Sequence, residues 1–185
     1  MEDSDEALMV RVGAGDRDAC RALVERHLAR LVAFATRVLG NRAEAEDVAQ
    51  DVFLRVWSSA HRWRPGPARL TTWLHRVALN LCLDRLARRR HASLDAVPDP
   101  PDPRPTAEAA LHERAIGERV NQELASLPDQ QRIAITLCHY QGLGNRLAAE
   151  VMGISVAALE SLLARGRRTL RARLAPVAPH LLEGP

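Results

Sequence analysis

Between residues 98 and 105 the chain reads PDPPDPRP, five prolines in one short run. Each proline fixes φ and removes a backbone donor, so neither a helix nor a central strand can pass through this stretch. The wider segment HASLDAVPDPPDPRPTAEAA (91–110) carries Asp95, Asp99 and Asp102 and shows no apolar period. It reads as a linker between a unit ending near residue 91 and a second one beginning near Thr106. Thr106, followed by Ala107 and Glu108, has the form of a helix N-cap with an acid in the first turn. At 185 residues the chain has room for two small domains.

On both sides of the linker the helical period dominates. Residues 4–13 and 18–39 are predicted helices, broken at Gly13–Ala14–Gly15 and closed by Gly40–Asn41. Residues 43–58 place Ala45, Val48, Ala49, Val52 and Val56 on one face. Residues 69–90 do the same with Leu70, Leu74, Val77 and Leu81. After the linker come helices over 106–125, from Pro128 as a first-turn proline to about Gly142, and over 145–152 and 155–174. No stretch alternates as a half-buried strand does, so the expected fold class is all-α: two small helical domains. Apolar residues make up 46% of the chain, enough to fill a core in each. Trp57 and Trp73 are expected there, whereas Trp63 suits a core or a stacking position equally.

The residues speak against several classes of function. No run of 18 apolar residues exists and the first residues are acidic, so neither a membrane span nor a signal peptide is expected, and the chain reads as cytoplasmic. Cys20, Cys82 and Cys138 show no CxxC spacing and lie within apolar-periodic segments, where a thiol behaves as a small hydrophobe. His27, His75, His112 and His139 do not form a metal-ligand set, and no metal or other cofactor is expected. Glycine-rich phosphate loops and nucleophile elbows are lacking, which argues against an enzyme.

Charge is distributed in blocks. Residues 1–51 hold 7 Arg and 11 acids, and residues 52–93 hold 9 Arg and 1 acid. Residues 94–164 hold 5 Arg and 10 acids, and residues 165–185 hold 5 Arg and 1 acid, with no lysine anywhere. Two basic patches alternating with two acidic stretches suit a protein that touches a polyanion in two places and a basic partner elsewhere.

The second basic patch ends a helix-turn-helix pattern. In NRLAAEVMGISVAALESLLA (145–164), Ala149 is small where two helices would cross, Gly153 supplies the turn and Leu159 points to the core. Along the following helix Leu159, Leu163, Gly166, Leu170 and Leu174 form a docking stripe. The opposite side carries Ala157, Glu160, Ser161, Ala164, Arg165, Arg168 and Arg171. Small residues at the tip allow close entry into the major groove, and the arginines lie at phosphate reach. Glu160 is a poor phosphate neighbour, but a carboxylate can accept from cytosine N4. In the first unit, Glu44, Glu46, Asp47 and Asp51 crowd one helix, and HRWRPGPARLTTW (61–73) interleaves tryptophan and arginine around a Pro-Gly-Pro turn, as base-stacking loops do.

Taken together, AEAEDVAQDVFLRVW (43–57), LTTWLHRVALNLCLDRLARRR (70–90) and LPDQQRIAITLCHYQGLGNRLAAEVMGISVAALESLLARGRRTLRARL (127–174) resemble the ECF (group IV) sigma factors of bacterial RNA polymerase. The resemblance implies region 2 over 1–91, a linker over 92–105, region 4 over 106–175 and a tail over 176–185. It implies an alternative, non-catalytic specificity subunit that binds core polymerase, opens promoter DNA and serves a stress-response regulon. Asp47, Gln50, Asp51 and Phe53 would dock on the β′ clamp helices, and Ile133 and Leu137 on the β flap. His61, Arg62, Trp63, Arg64, Arg69, Arg76, Asn80, Arg85 and Arg88 would hold the −10 element, capturing an unstacked base at a cost of a few kcal/mol recovered in the pocket. Ser155, Val156, Ala157, Glu160, Ser161, Ala164, Arg165 and Arg168 would read the −35 element. An anti-sigma factor is the expected regulator. Free of such partners the chain would be a monomer, without membrane insertion, and it would join the nucleoid when bound to polymerase. Many members carry Lys where Glu160 stands and Arg where Leu162 stands, so a standard −35 sequence does not transfer. The main alternative is a stand-alone helix-turn-helix regulator, which would leave the acidic helix and the tryptophan–arginine loop without a purpose.

Overall fold

The computed structural model describes residues 3–64, 69–93 and 109–175, and every regular element among them is helical. The expected Thr106 cap, the Pro65–Gly66–Pro67 turn, the linker's prolines and the tail over 176–185 lie outside the described residues.

The first four helices are α1 (Asp5–Gly13), α2 (Arg17–Leu39), α3 (Arg42–Ala60) and α4 (Leu70–Ser93). The starts of the first three are set by side chains that accept otherwise orphaned N–H groups: Ser4 from Ala7, Asp16 from Asp18 and Ala19, and Asn41 from Glu44. The Asp16 carboxyl is held below its ordinary value, first by the Ala19 N–H and then by Arg11. Between α2 and α3, Gly40 adopts φ 69° and Asn41 caps the next helix, so the chain reverses within two residues. That reversal packs Leu31, Phe34, Ala35 and Val38 of α2 against Ala45, Val48, Ala49 and Val52 of α3. Gly13 closes α1 onto the end of α3, since a Cβ there would stand 2.7 Å from the Ala60 carbonyl oxygen. On α4, Leu70, Leu74, Ala78, Cys82 and Leu86 are buried, while Val77 of the expected stripe is half-buried. Burial pushes the Cys82 thiol up to about 12, consistent with its reading as a small core residue.

The second group comprises α5 (Ala109–Ala125), α6 (Asp129–Ile135), a π-helical turn over Thr136–Tyr140, α7 (Asn145–Met152) and α8 (Val156–Leu174). Pro128 stands just before α6 instead of inside its first turn. With ψ at 138° its carbonyl is free to accept from the N–H groups of Gln131 and Arg132. The π-turn was not legible in the sequence; Gln141 N–H closes it on the Thr136 carbonyl. Leu124, Ile133, Leu137, Ala149, Leu159 and Leu163 make this core. α8 approaches α6 closely at Gly166, where a Cβ would lie 2.7 Å from Ile135 Cδ1.

Arg132 is the charged group inside this core. Its guanidinium donates to the carbonyls of Ala125 and Leu127 and pairs with Asp129 at 2.6 Å, tying the end of α5 to the start of α6. Arg132→Ala removes donors from two carbonyls and is expected to cost about 3 kcal/mol. A lowered urea midpoint for unfolding checks this; an unchanged midpoint contradicts it.

Candidate nucleic-acid interface

α7 and α8 meet at 99°, within the range for a helix-turn-helix. Gly153 supplies the left-handed residue at φ 66°, and the Ile154 N–H returns to the Ala149 carbonyl at 3.1 Å. Ser155 then caps α8 by accepting from the Ala158 N–H. Leu159 and Leu163 point inward, so Val156, Ala157, Glu160, Ser161, Ala164, Arg165 and Arg168 all face solvent. The first two turns of this exposed face carry Glu160 as their one charge, and the arginines follow. Arg173, at the far end, turns back to Ser126 and Glu123. Glu160 accepts a hydrogen bond from Asn145 at 3.3 Å, a partner that spacing along one helix could not show.

The first unit presents two further faces. On α3 most acids are already engaged: Glu44 with Arg89 at 2.5 Å, Glu46 with Arg42 at 2.9 Å and Asp51 with Arg85 at 3.2 Å. Asp47 forms no ion pair among the described residues. The acid-rich surface read from the sequence is therefore largely neutralised within the fold. Phe53 is only 4% exposed, whereas Trp57, expected in the core, is 45% exposed. The reason is helical phase: the buried stripe runs through Ala49, Val52, Phe53, Val56 and Ala60, and Trp57 falls beyond it. Asp47, Gln50, Leu54 and Trp57 consequently line one outer strip at helical spacing. Ile133 and Leu137 are both 0% exposed, so like Phe53 they support their helices from inside and offer no side chain to a partner in this arrangement.

On α4, Arg76, Asn80 and Arg88 face solvent along one stripe, interrupted by Asp84. Arg69 lies exposed just before the helix, and His61, Arg62 and Arg64 are exposed after α3. Arg85 is half-buried and committed to Asp51. Trp63 packs edge-on against Trp73 with centroids 6.0 Å apart, which makes the pair a wall and not a free ring. No group of His, Cys, Asp and Glu that could hold a metal ion exists among the described residues, and no single helix there is long and apolar enough to cross a membrane.

The two helical groups touch through the connection after the π-turn. Arg30 of α2 donates to the Gln141 carbonyl at 2.9 Å, and the Gln141 side-chain amide donates to the Arg30 carbonyl at 3.4 Å. His75 of α4 lies with Nδ1 2.8 Å from the Thr71 carbonyl and Nε2 3.3 Å from Gln141 Oε1. Phe34 meets the imidazole edge-on, Arg37 lies over the Tyr140 ring at 4.2 Å, and Arg90 pairs with Asp129. Burial holds the His75 imidazole below the usual histidine range; the contacts with Thr71 and Gln141 oppose this, and the nearby Arg30 and His27 add to it. Neither Gln141 nor His75 was singled out in the sequence as joining the halves, because their partners lie 111 and 66 residues away.

Two family models match the chain: Sigma-70 region 2 over residues 23–92 and Sigma-70, region 4 over residues 117–170. The chain is 34% identical to the ECF RNA polymerase sigma factor SigE of Mycolicibacterium smegmatis, over 95% of this chain and 71% of that protein. It is likewise 34% identical to the ECF RNA polymerase sigma factor SigM of Mycobacterium tuberculosis, over 99% of this chain and 89% of that one. Its fold is similar to CnrH in complex with the cytosolic domain of CnrY, with a TM-score of 0.69 and 29% identity over 94% of this chain and 99% of that chain.

Because Gln141 makes hydrogen bonds to both α2 and α4, Gln141→Ala is expected to enlarge the free protein, read as a higher radius of gyration in X-ray scattering. Acidification should act in the same direction. Opening raises the pKa of His75 toward its ordinary value of about 6.5, so the closed arrangement is fully stable above that pH and weakens as pH falls through it. His75→Gln should remove most of this pH dependence.

Proposed function

The chain belongs to the ECF sigma factors of RNA polymerase, and we propose that, as an alternative sigma factor directing transcription initiation, it divides promoter recognition between its two helical halves. Region 2 occupies residues 1–91 and region 4 residues 106–175, with residues 92–105 as the tether. The observation that carries this reading is the exposed face of α8, small and nearly uncharged at its tip and arginine-rich beyond. The tip meets base edges of the −35 element through Val156, Ala157, Glu160, Ser161 and Ala164, with Ser155 at the entry. Arg165 and Arg168 meet the backbone. The α4 face with Arg69, Arg76, Asn80 and Arg88, together with His61, Arg62 and Arg64, holds the −10 strand against the wall made by Trp63 and Trp73. Arg85 joins them only on leaving Asp51. Polymerase takes the strip of Asp47, Gln50, Leu54 and Trp57, where two exposed apolar side chains supply most of the buried area. The covalent chemistry remains with polymerase, in the cytoplasm.

The packed arrangement bears on this function. Elements named −10 and −35 lie roughly 25 base pairs apart, about 85 Å along B-DNA. Helices α4 and α7 pack on one another here, so the halves must part before both elements can be held. The docking of each half on its own site of the polymerase supplies the work of parting. An anti-sigma protein would hold the closed form by filling the groove between α2 and α5. That groove has a volume of about 1120 Å³ and is lined by Leu28, Val32 and Leu124 among others. CnrH, similar in fold, was solved bound to the cytosolic domain of another protein.

Run-off transcription with core polymerase tests the reading directly. A promoter-specific transcript should depend on this protein, and its absence would sink the proposal. Tight, sequence-specific duplex binding without polymerase would instead favour a stand-alone regulator. Arg165→Ala and Arg168→Ala should each weaken holoenzyme binding across all −35 sequences and lower the salt slope by about one.

A further inference from the structure

Glu160 sits at the tip of α8 without an ion pair among the described residues, although the helix beyond it is rich in arginine. Its neighbours one turn away on the same face are Val156, Ala157 and Ala164, none of which can neutralise it. What holds it is the first residue of the preceding helix. Asn145 Nδ2 donates to Glu160 Oε1 at 3.3 Å across the turn that joins α7 to α8. On the other side of the same amide, Cys138 Sγ lies 3.9 Å from Asn145 Oδ1.

These contacts fix which way the amide points. A carboxylate only accepts, so the NH₂ end must face Glu160. Burial raises the Cys138 thiol above its ordinary value, so it stays protonated and donates to the amide oxygen. A flipped amide would set its oxygen against the carboxylate and waste the thiol proton. The two outer partners therefore agree on one orientation.

We infer that Asn145 is the positioning residue for base reading by Glu160: it orients the carboxylate without cancelling its charge, leaving Oε2 to accept from an exocyclic amino group in the major groove. A cation in that place would have consumed the charge, and no partner at all would have let the side chain swing away from the phosphates. The amino groups that fit are those of cytosine N4 and adenine N6, the major-groove donors. The inference rests on the reading that α8 enters the groove at the −35 element.

The test uses the reconstituted holoenzyme and a promoter library randomised over the −35 element, with transcripts sequenced. Glu160→Gln identifies the base pair that Glu160 reads, with an expected change in preference of roughly fivefold to a hundredfold at one position. Asn145→Ala and Asn145→Asp should lose most of the same preference at the same position. The double variant Asn145→Ala/Glu160→Gln should be no worse than Glu160→Gln alone. Asn145→Asp separates positioning from packing, because it keeps the shape and removes the donor; its carboxylate repels Glu160, and its place at a helix N-terminus offsets part of that repulsion. Its thermal stability should stay close to that of the unsubstituted protein while specificity falls. If Glu160→Gln alters the preference and both Asn145 variants keep it, positioning is overturned and the groove reading stands. If Glu160→Gln alters nothing, both fall. A uniform loss over all sequences in Asn145→Ala, with the preference unchanged, would make Asn145 a phosphate contact and also overturn the inference.

Discussion

The grip of Gln141 between α2 and α4 sets the relation between everything else in this molecule. Its backbone carbonyl accepts from the Arg30 guanidinium, its side-chain amide donates to the Arg30 carbonyl, and its amide oxygen meets the imidazole of His75. It can do so because the π-turn ahead of it widens the end of α6, and Gly142 at φ 68° turns the chain away immediately afterwards. Polar groups of this kind cost free energy when buried without partners, and here each finds one across the boundary between the halves. The same groups are well solvated once exposed. Among the described residues, the contact between the halves thus includes hydrogen bonds, a cation–π pair and a surface ion pair, whose polar groups water can take over when the halves part.

The chemistry of α3 follows a related logic. Its acids look from the sequence like a surface awaiting a basic partner, yet Glu44, Glu46 and Asp51 are each paired with an arginine of the same unit. Pairs of this kind contribute little stability when exposed, but Glu44–Arg89 and Asp51–Arg85 fix two arginines of α4 relative to α3. What remains for an outside partner is Asp47, Gln50 and the exposed Leu54 and Trp57. Specificity in the proposed polymerase contact thus comes from a small polar set beside an apolar anchor, not from bulk charge.

The helices themselves were legible because their period and breaking glycines agree: Gly40 ends α2 and Gly153 supplies the turn between α7 and α8, as their positions imply. The helix-turn-helix and its exposed face were legible for the same reason. What the sequence hid were choices between near-equivalent neighbours and contacts over long separations. Phe53 and Trp57 are both aromatic, four apart on one helix, and only packing against α1, α2 and α4 decides which goes inside. Ile133 and Leu137 carry the family pattern of a docking helix, but in this fold the pattern is that of a core. The pairing of Asn145 with Glu160, and of Gln141 with Arg30 and His75, arises only once remote segments are brought together.

Closure and recognition are separable in this structure. The exposed residues of α8 and the Arg76–Asn80–Arg88 stripe of α4 both remain open to solvent while α7 packs on α4. Packing therefore does not cover either proposed DNA face; it fixes the distance between them. Each half keeps its electrostatic attraction to DNA, which is largely independent of sequence. Holding two separated elements at once is what the closed arrangement forbids. A partner that regulates such a molecule need not shield its arginines. It need only keep Gln141 seated, and a ligand seated across the groove between α2 and α5 would do so by favouring the closed state in proportion to its affinity for it.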